Sequence, residues 1–389
     1  MDRVSWSNLP EDLLVKIGKY LDALFDVIRF RSVCRRWRYS LSFLHINSHL
    51  EFPGMTDRNP QTSFAGYVSK SSYLVKNTVY ILNQYATPSP ISMPWLLKLE
   101  ETEEGKLRII NPMSNSPVKD LPSTFPNVLN LLDFPILEVS RGYIRKDTFK
   151  RVEHATSIVT KAVMLPESGR VSIHDDFMVL NLCQDGGLIL WRNGDDELKQ
   201  INEHEFHYDD IAVYKGRFVA VDRWGTVSLV DSSSQLIKYT PPIFNGGSKK
   251  HLVVTSEDLY AVDRYLDRAR TTRNPYKKED AKVVAFKVYK LDEEWGWTEV
   301  TSLDNRILFI GEGLNFFVPI GELRGCNGNC IYFVDEDRTW YNDDDDALVG
   351  STGHGIAVFN LVNGRIGKLS SFPGYSEMFW PPPSWFTAN

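Results

Sequence analysis

The residues able to do chemistry in this chain are few, and their spacing fits no reactive site. His204-Glu-Phe-His207 resembles half of a zinc-binding helix. Such a pair needs its second His four residues after the first, one helical turn away, and position 208 is Tyr. Cys326 and Cys330 have no second Cys/Cys or Cys/His pair at zinc spacing. Gly325-Cys-Asn-Gly-Asn-Cys330 instead reads as a turn, because Gly and Asn tolerate positive φ, and it leads into a strand over 331–334. Asp343 to Asp346 lacks the Asp-x-Asp-x-Asp-Gly ladder of a calcium loop and reads as a solvated acidic loop. No Gly-x-Ser-x-Gly elbow and no Gly-x4-Gly-Lys-Ser/Thr loop occurs, and the Gly-rich run Gly350-Ser-Thr-Gly-His-Gly355 sits between strands rather than before a helix. Asp222, Asp263 and Asp335 each close an aromatic-bearing strand. They invite the picture of a carboxylate ring, but their position says turn chemistry, with side chains accepting from nearby backbone N–H groups. No catalytic residue, metal site or cofactor is expected.

What remains is contact chemistry, concentrated before residue 44. Ser7 and Asn8 offer capping oxygens, Pro10 suits a first helical turn, and Glu11 and Asp12 favour the positive end of the helix dipole. Leu13, Leu14, Ile17 and Leu21 recur at helical spacing. Asp22 can end that helix. Leu24, Phe25, Ile28 and Phe30 form a second stripe, and Val33, Cys34 and Trp37 a third, with Arg35, Arg36 and Arg38 on the polar side. Units below about 40 residues rarely bury such stripes alone. The module must dock on the rest of the chain or offer an apolar face to another protein.

Leu9-Pro-Glu-Asp-Leu-Leu14, then Ile17, then Val33-Cys-Arg-Arg-Trp-Arg38, resembles the F-box. The resemblance implies a three-helix module over 3–44 that docks on a Skp-type adaptor, and through it on the cullin and RING protein of a ubiquitin ligase. Matched residue by residue, the adaptor contacts would be Leu9, Pro10, Leu13, Leu14, Ile17, Val33, Cys34 and Trp37.

Residues 45–93 are mixed, polar and Pro-bearing, and read as a connector. From 94 to 389 the texture is β: short runs rich in Val, Ile, Tyr and Phe, cut by Gly, Asn, Asp and Pro. Three copies of a degenerate unit stand out. Phe218-Val-Ala-Val-Asp222 leads to Thr226-Val-Ser-Leu-Val-Asp231, Leu259-Tyr-Ala-Val-Asp263 to Val284-Ala-Phe-Lys-Val-Tyr289, and Ile331-Tyr-Phe-Val-Asp335 to Gly355-Ile-Ala-Val-Phe359. Strand pairs repeating at roughly 40–50 residues signal propeller blades, about six or seven in the length available. Such a ring should close with Pro383-Ser-Trp-Phe386 near Trp95. The fold class expected is therefore mainly β with a small all-α N-terminal module. The differing textures also predict that the helical module and the propeller are separable. Gly216-Arg-Phe-Val-Ala-Val-Asp222, Leu308-Phe-Ile-Gly311, Gly325 to Phe333 and Pro383 to Phe386 further resemble a plant F-box family with a KIB-type β-propeller. That family's architecture implies a non-catalytic substrate receptor whose propeller binds a protein target.

Composition fits that expectation. The chain has 389 residues, 42% hydrophobic, enough for one small and one large core. A net charge of −6 argues against a dedicated nucleic-acid binder, and the local Arg cluster reads as a solvated helix face. No run approaches a membrane span of about 20 apolar residues, and no secretory leader is legible at Met1-Asp2-Arg3. Four cysteines are few, which suits the reducing nucleus or cytoplasm. Two rival expectations stay open: a scaffold that sequesters a partner without ubiquitylation, and a propeller enzyme with a polar cluster in its channel.

Overall fold

The computed structural model describes residues 6–21, 23–41, 49–53, 69–84, 93–102, 107–118, 125, 134–149, 159–167, 175–201, 207–243, 246–267, 282–323, 325–334, 355–371, 378–379, 382–383 and 385–386. His204, Asp22, Asp335, Asp343 to Asp346 and Gly350 to His354 lie outside them.

Three short helices open the chain: α1 (Glu11–Lys19), α2 (Leu24–Ser32) and α3 (Arg35–Ser40). Helix α1 starts differently from the sequence expectation. Trp6–Asn8 is a separate 3-10 turn, and Pro10 itself occupies the N-cap without a side-chain cap bond, so Ser7 and Asn8 stand one turn too early. Glu11 and Asp12 do fall in the first turn. Leu14, Val27, Phe30 and Leu41 form the module's small core, with Leu9, Leu21 and Trp37 packed against it. Gly18 lets α1 approach closely, since a Cβ there would lie 2.8 Å from Leu41 Cδ1.

The rest of the described chain is β. A nine-stranded sheet runs β4-β3-β2-β5-β6-β7-β8-β9, with β1 pairing β2. Its strands are β1 (His49–Pro53), β2 (Ser69–Leu82), β3 (Trp95–Glu101), β4 (Leu107–Ile110), β5 (Ile136–Phe149), β6 (Val159–Leu165), β7 (Met178–Cys183), β8 (Leu188–Arg192) and β9 (Lys199–Gln200). The register between β5 and β6 is one pair, Tyr143 opposite Ala162, so this sheet is a five-stranded half (β1 to β5) and a four-stranded half (β6 to β9) joined at one point. Two four-stranded meanders follow: β10 (Tyr208–Tyr214), β11 (Arg217–Asp222), β12 (Val227–Val230) and β13 (Leu236–Lys238), then β14 (Lys249–Val254), β15 (Leu259–Leu266), β16 (Val283–Asp292) and β17 (Gly296–Val300). The last sheet holds β18 (Arg306–Ile310), β19 (Asn315–Pro319), β20 (Cys330–Val334), β21 (Ile356–Asn360) and β22 (Ile366–Lys368), in the order β19-β18-β20-β21-β22 with β18 and β20 parallel.

The repeat read from sequence is real. Its three copies are the antiparallel pairs β11–β12, β15–β16 and β20–β21. The blade count differs from the expected six or seven. Strands β5, β6, β10, β14 and β19 neighbour one another in a closed ring. Among the described residues they begin five blade units. Strand insertions in the first and last units lengthen them, so dividing by a uniform period overcounts.

Strands β1 and β2 both lie in the stretch read as a connector. Strand β2 is central: it pairs β5 along its length, β3 from Asn77 to Leu82 and β1 from Ser71 to Val75. Sheet structure therefore begins well before Trp95. Buried Lys76, Asn77 and Thr78 break the apolar pattern that would have marked it. Closure follows the expectation. Trp385 Nε1 donates to the Met93 carbonyl at 2.7 Å, and the Phe386 ring stands 4.8 Å from that of Trp95. Val79, Ile81 and Met113 of the first unit share one core with Ile307, Phe309, Tyr332 and Val358 of the last.

Candidate functional site: an apolar docking face and the central channel

Helix α1 has two faces. Leu14 and Gly18 turn inward. Leu13 and Ile17 stay 42% and 39% exposed, and Tyr20 at the helix end 77%. Positions 13, 17 and 20 follow the helical period, so the three line one outward stripe. Val33, after α2, is exposed as well, as are Pro10, Trp6 and Tyr39. These uncovered apolar side chains, three of them in one stripe, are numerous for so small a unit.

The eight residues expected to meet an adaptor thus divide. Pro10, Leu13, Ile17 and Val33 are exposed. Leu9, Cys34 and Trp37 are half-buried. Leu14 is fully buried in the module's core and presents nothing to a partner. The Trp37 ring lies tilted 4.5 Å from that of Phe30, and its indole N–H donates to the Trp6 carbonyl at 3.2 Å, so it braces the module from within. Arg31 and Arg38 brace it too: Arg31 donates to the carbonyls of Arg38 and Leu41, and Arg38 to that of Arg31. Tyr20 was missed, although seven residues after Leu13 its spacing could have found it.

Helix α2 is buried on two opposite sides. Val27 and Phe30 face the module's core. Phe25 and Ile28 face the sheet, in a cluster with Tyr80, Leu82, Trp95, Leu97, Trp385 and Phe386. The Phe25 ring meets that of Tyr80 edge-on at 4.7 Å. The module is therefore seated on the propeller through one face of α2. The connector's composition gave no sign of this, because the contact is made by the helix.

The central channel is where a propeller enzyme would keep its chemistry. Its hub is Asp210, on β10. That carboxylate accepts from Lys161 Nζ of β6 at 2.7 Å, the Leu252 amide of β14 at 2.7 Å, Asn315 Nδ2 of β19 at 2.9 Å and the Ile211 amide at 2.8 Å. Four donors from four strands thus converge on one carboxylate. Nearby, Lys250 and Asp263 form a 2.7 Å ion pair with neither side chain exposed, and Asp263 also accepts from the Gly247 amide. Asp263 thus serves a buried pair, not the turn expected of it. Asp222 does follow expectation, accepting from the amides of Trp224 and Thr226, each at 2.9 Å. Burial raises the Asp209 carboxyl above its usual range, against the Lys250 amide it accepts from. Burial, reinforced by Lys249, Arg264, Lys161 and Lys250, holds His251 neutral, well below the usual imidazole range.

Cys326 and Cys330 flank a turn, as expected: Gly325 and Asn329 take φ of +87° and +58°, and Cys330 opens β20. Burial pushes both thiols up to about 11. Among the described residues no group of three or more His, Cys, Asp or Glu could hold a metal ion, and no helix is long and apolar enough to cross a membrane.

Comparison with known proteins agrees with this architecture. A family model described as KIB1-4 beta-propeller matches residues 68–360, and one described as F-box-like matches residues 6–42. The F-box protein SKIP23 of Arabidopsis thaliana is 28% identical over 99% of this chain and 96% of its own length. The putative F-box protein At5g60060 of the same plant is 30% identical over 82% of this chain and 86% of its own. A solved structure, the WD40 domain of SCAP from fission yeast, matches 77% of this chain and 68% of its own at 11% identity and a TM-score of 0.23, too distant to carry an argument. A helical module over 6–42 seated on a propeller that the second family model spans from 68 to 360 leaves one assignment: the chain belongs to the plant F-box proteins with a C-terminal KIB1-4 beta-propeller.

Proposed function

We propose that this chain is the substrate-recognition subunit of an SCF-type cullin–RING ubiquitin ligase. Its helical module docks on a Skp-type adaptor, and its propeller holds a protein target, in the nucleus or cytoplasm. The observation that carries the reading is the uncovered stripe Leu13, Ile17 and Tyr20, with Val33 also exposed, on a module of F-box-like sequence. The chain's own part in the reaction is proximity: it raises the effective concentration of target and charged ubiquitin carrier, while partner subunits make and break bonds.

The test is adaptor capture by the full chain. Ile17→Ala with Val33→Ala removes apolar contact without touching the module's core, and should cost about 2 kcal/mol, roughly thirtyfold in affinity. A target that accumulates when cullin activation is blocked supports the ligase over a sequestering scaffold. Undiminished adaptor capture by the double variant would overturn the assignment of this face.

A further inference from the structure

The docking face and the target-holding domain share one joint. Helix α2 is its wall: Val27 and Phe30 belong to the module's core, while Phe25 and Ile28 belong to the propeller's first sheet. Phe25 is 4% exposed and Tyr80 2%, their rings edge-on at 4.7 Å. Behind Tyr80 the same cluster runs through Trp95 to Phe386, whose ring lies 4.8 Å from Trp95 and 5.5 Å from both Phe125 and Phe134. Trp385 fixes this end segment by its bond to the Met93 carbonyl. The segment that closes the ring of blades thereby also supports the seat of the module.

We infer that Phe25 and Tyr80 are positioning residues: they fix the direction in which the docking face points relative to the propeller, so that adaptor and target are held in one orientation. Neither residue is on the exposed stripe, and both are buried against each other rather than against a partner. A buried aromatic contact backed by a closed cluster holds one geometry, because close-packed interiors resist continuous deformation. A chain joined only through its connector would sample many orientations. The inference rests on the ligase reading for its functional meaning, but the orientation itself needs no partner to be measured.

The experiment is pulsed electron spin resonance on the full chain. Spin labels go on Lys16→Cys in α1 and Ser233→Cys in the turn between β12 and β13, both exposed positions. Cys34→Ser removes the only native cysteine that is not buried. The expected result is one narrow distance peak, broadened by Phe25→Ala and restored by Phe25→Tyr. Tyr80→Ala leaves the module's own sequence intact and should broaden the peak in the same way, which covers the case in which Phe25→Ala loosens the helices. Adaptor capture should be unchanged by Tyr80→Ala, while the choice of target lysine spreads. A broad peak in the parent protein, or a peak left narrow by Tyr80→Ala, overturns the inference. Adaptor capture is read separately on the unlabelled chain with Cys34 intact, where its loss would instead sink the ligase reading and leave the orientation result standing.

Discussion

Replacing Asp210 by Ala should come close to opening the propeller. The carboxylate is 95% buried and ties strands β6, β10, β14 and β19 through four bonds. Its removal strands the Lys161 ammonium, whose side chain is only 12% exposed. Breaking a buried pair from one side typically costs about 3–5 kcal/mol. The amides of Ile211 and Leu252 lose their acceptor as well, each worth about 1–3 kcal/mol where water cannot replace it. Local relaxation and water entry offset part of that sum, so a net loss of about 4–6 kcal/mol is expected, against a typical total of about 5–15. For a domain this size that lowers the thermal midpoint by roughly 10 °C. Calorimetry on the purified chain reads it directly. Lys161→Met in the Asp210→Asn background should recover much of the loss, because it removes the stranded charge. A midpoint within about 2 °C of the parent for Asp210→Ala, about 1 kcal/mol, would refute the view that this residue holds the inner strands together.

Three further outcomes follow from buried residues. Cys326 and Cys330 ionise near 11 in the fold because burial disfavours the thiolate, against about 9 unfolded. Below pH 9 both states keep the protons and nothing changes; from 9 to 11 the unfolded state alone ionises, so stability falls. That part of the alkaline decline should vanish in Cys326→Ala with Cys330→Ala, read as the slope of melting temperature against pH. Native thiol labelling at neutral pH should reach Cys34 alone, since Cys183, Cys326 and Cys330 are buried, and rapid labelling of a second site would contradict the packing. Gly225→Ala should destabilise the blade between β10 and β13 by about 1–3 kcal/mol, because Gly225 sits at φ +84° with Ile243 2.8 Å from where a Cβ would be; an unchanged urea midpoint would count against it.

How much of this was legible beforehand follows from what each signal reports. The helical module showed itself through the spacing of Leu13, Leu14 and Ile17, and the blades through strand pairs that each bring an aromatic residue to one core. Exposure was not legible. Leu13 and Leu14 are the same residue type one position apart, yet one faces outward and the other the core. Only the 3.6-residue period and the place of Gly18 decide which. Strand β2 stayed hidden because Lys76 is buried beside Glu101, with 3.6 Å between their charges, and an apolar pattern cannot register a paired charge. The hub at Asp210 was invisible too. Its four partners are spread from residue 161 to 315, and nothing local to Asp209-Asp210 announces them. Asp263 misled for a related reason: a strand-ending Asp suggests a turn, and only the fold shows Lys250 waiting opposite.

The placing of Trp385 and Phe386 has a consequence for the order in which the protein is made. Both leave the ribosome after every strand of the propeller. Until they arrive, Trp95 and Met93 lack the ring and the donor that the finished chain supplies. The helical module is synthesised before the propeller strands, and the surface behind Tyr80 is backed only after them. The far end of the described chain thus completes the cluster on which the near end is seated.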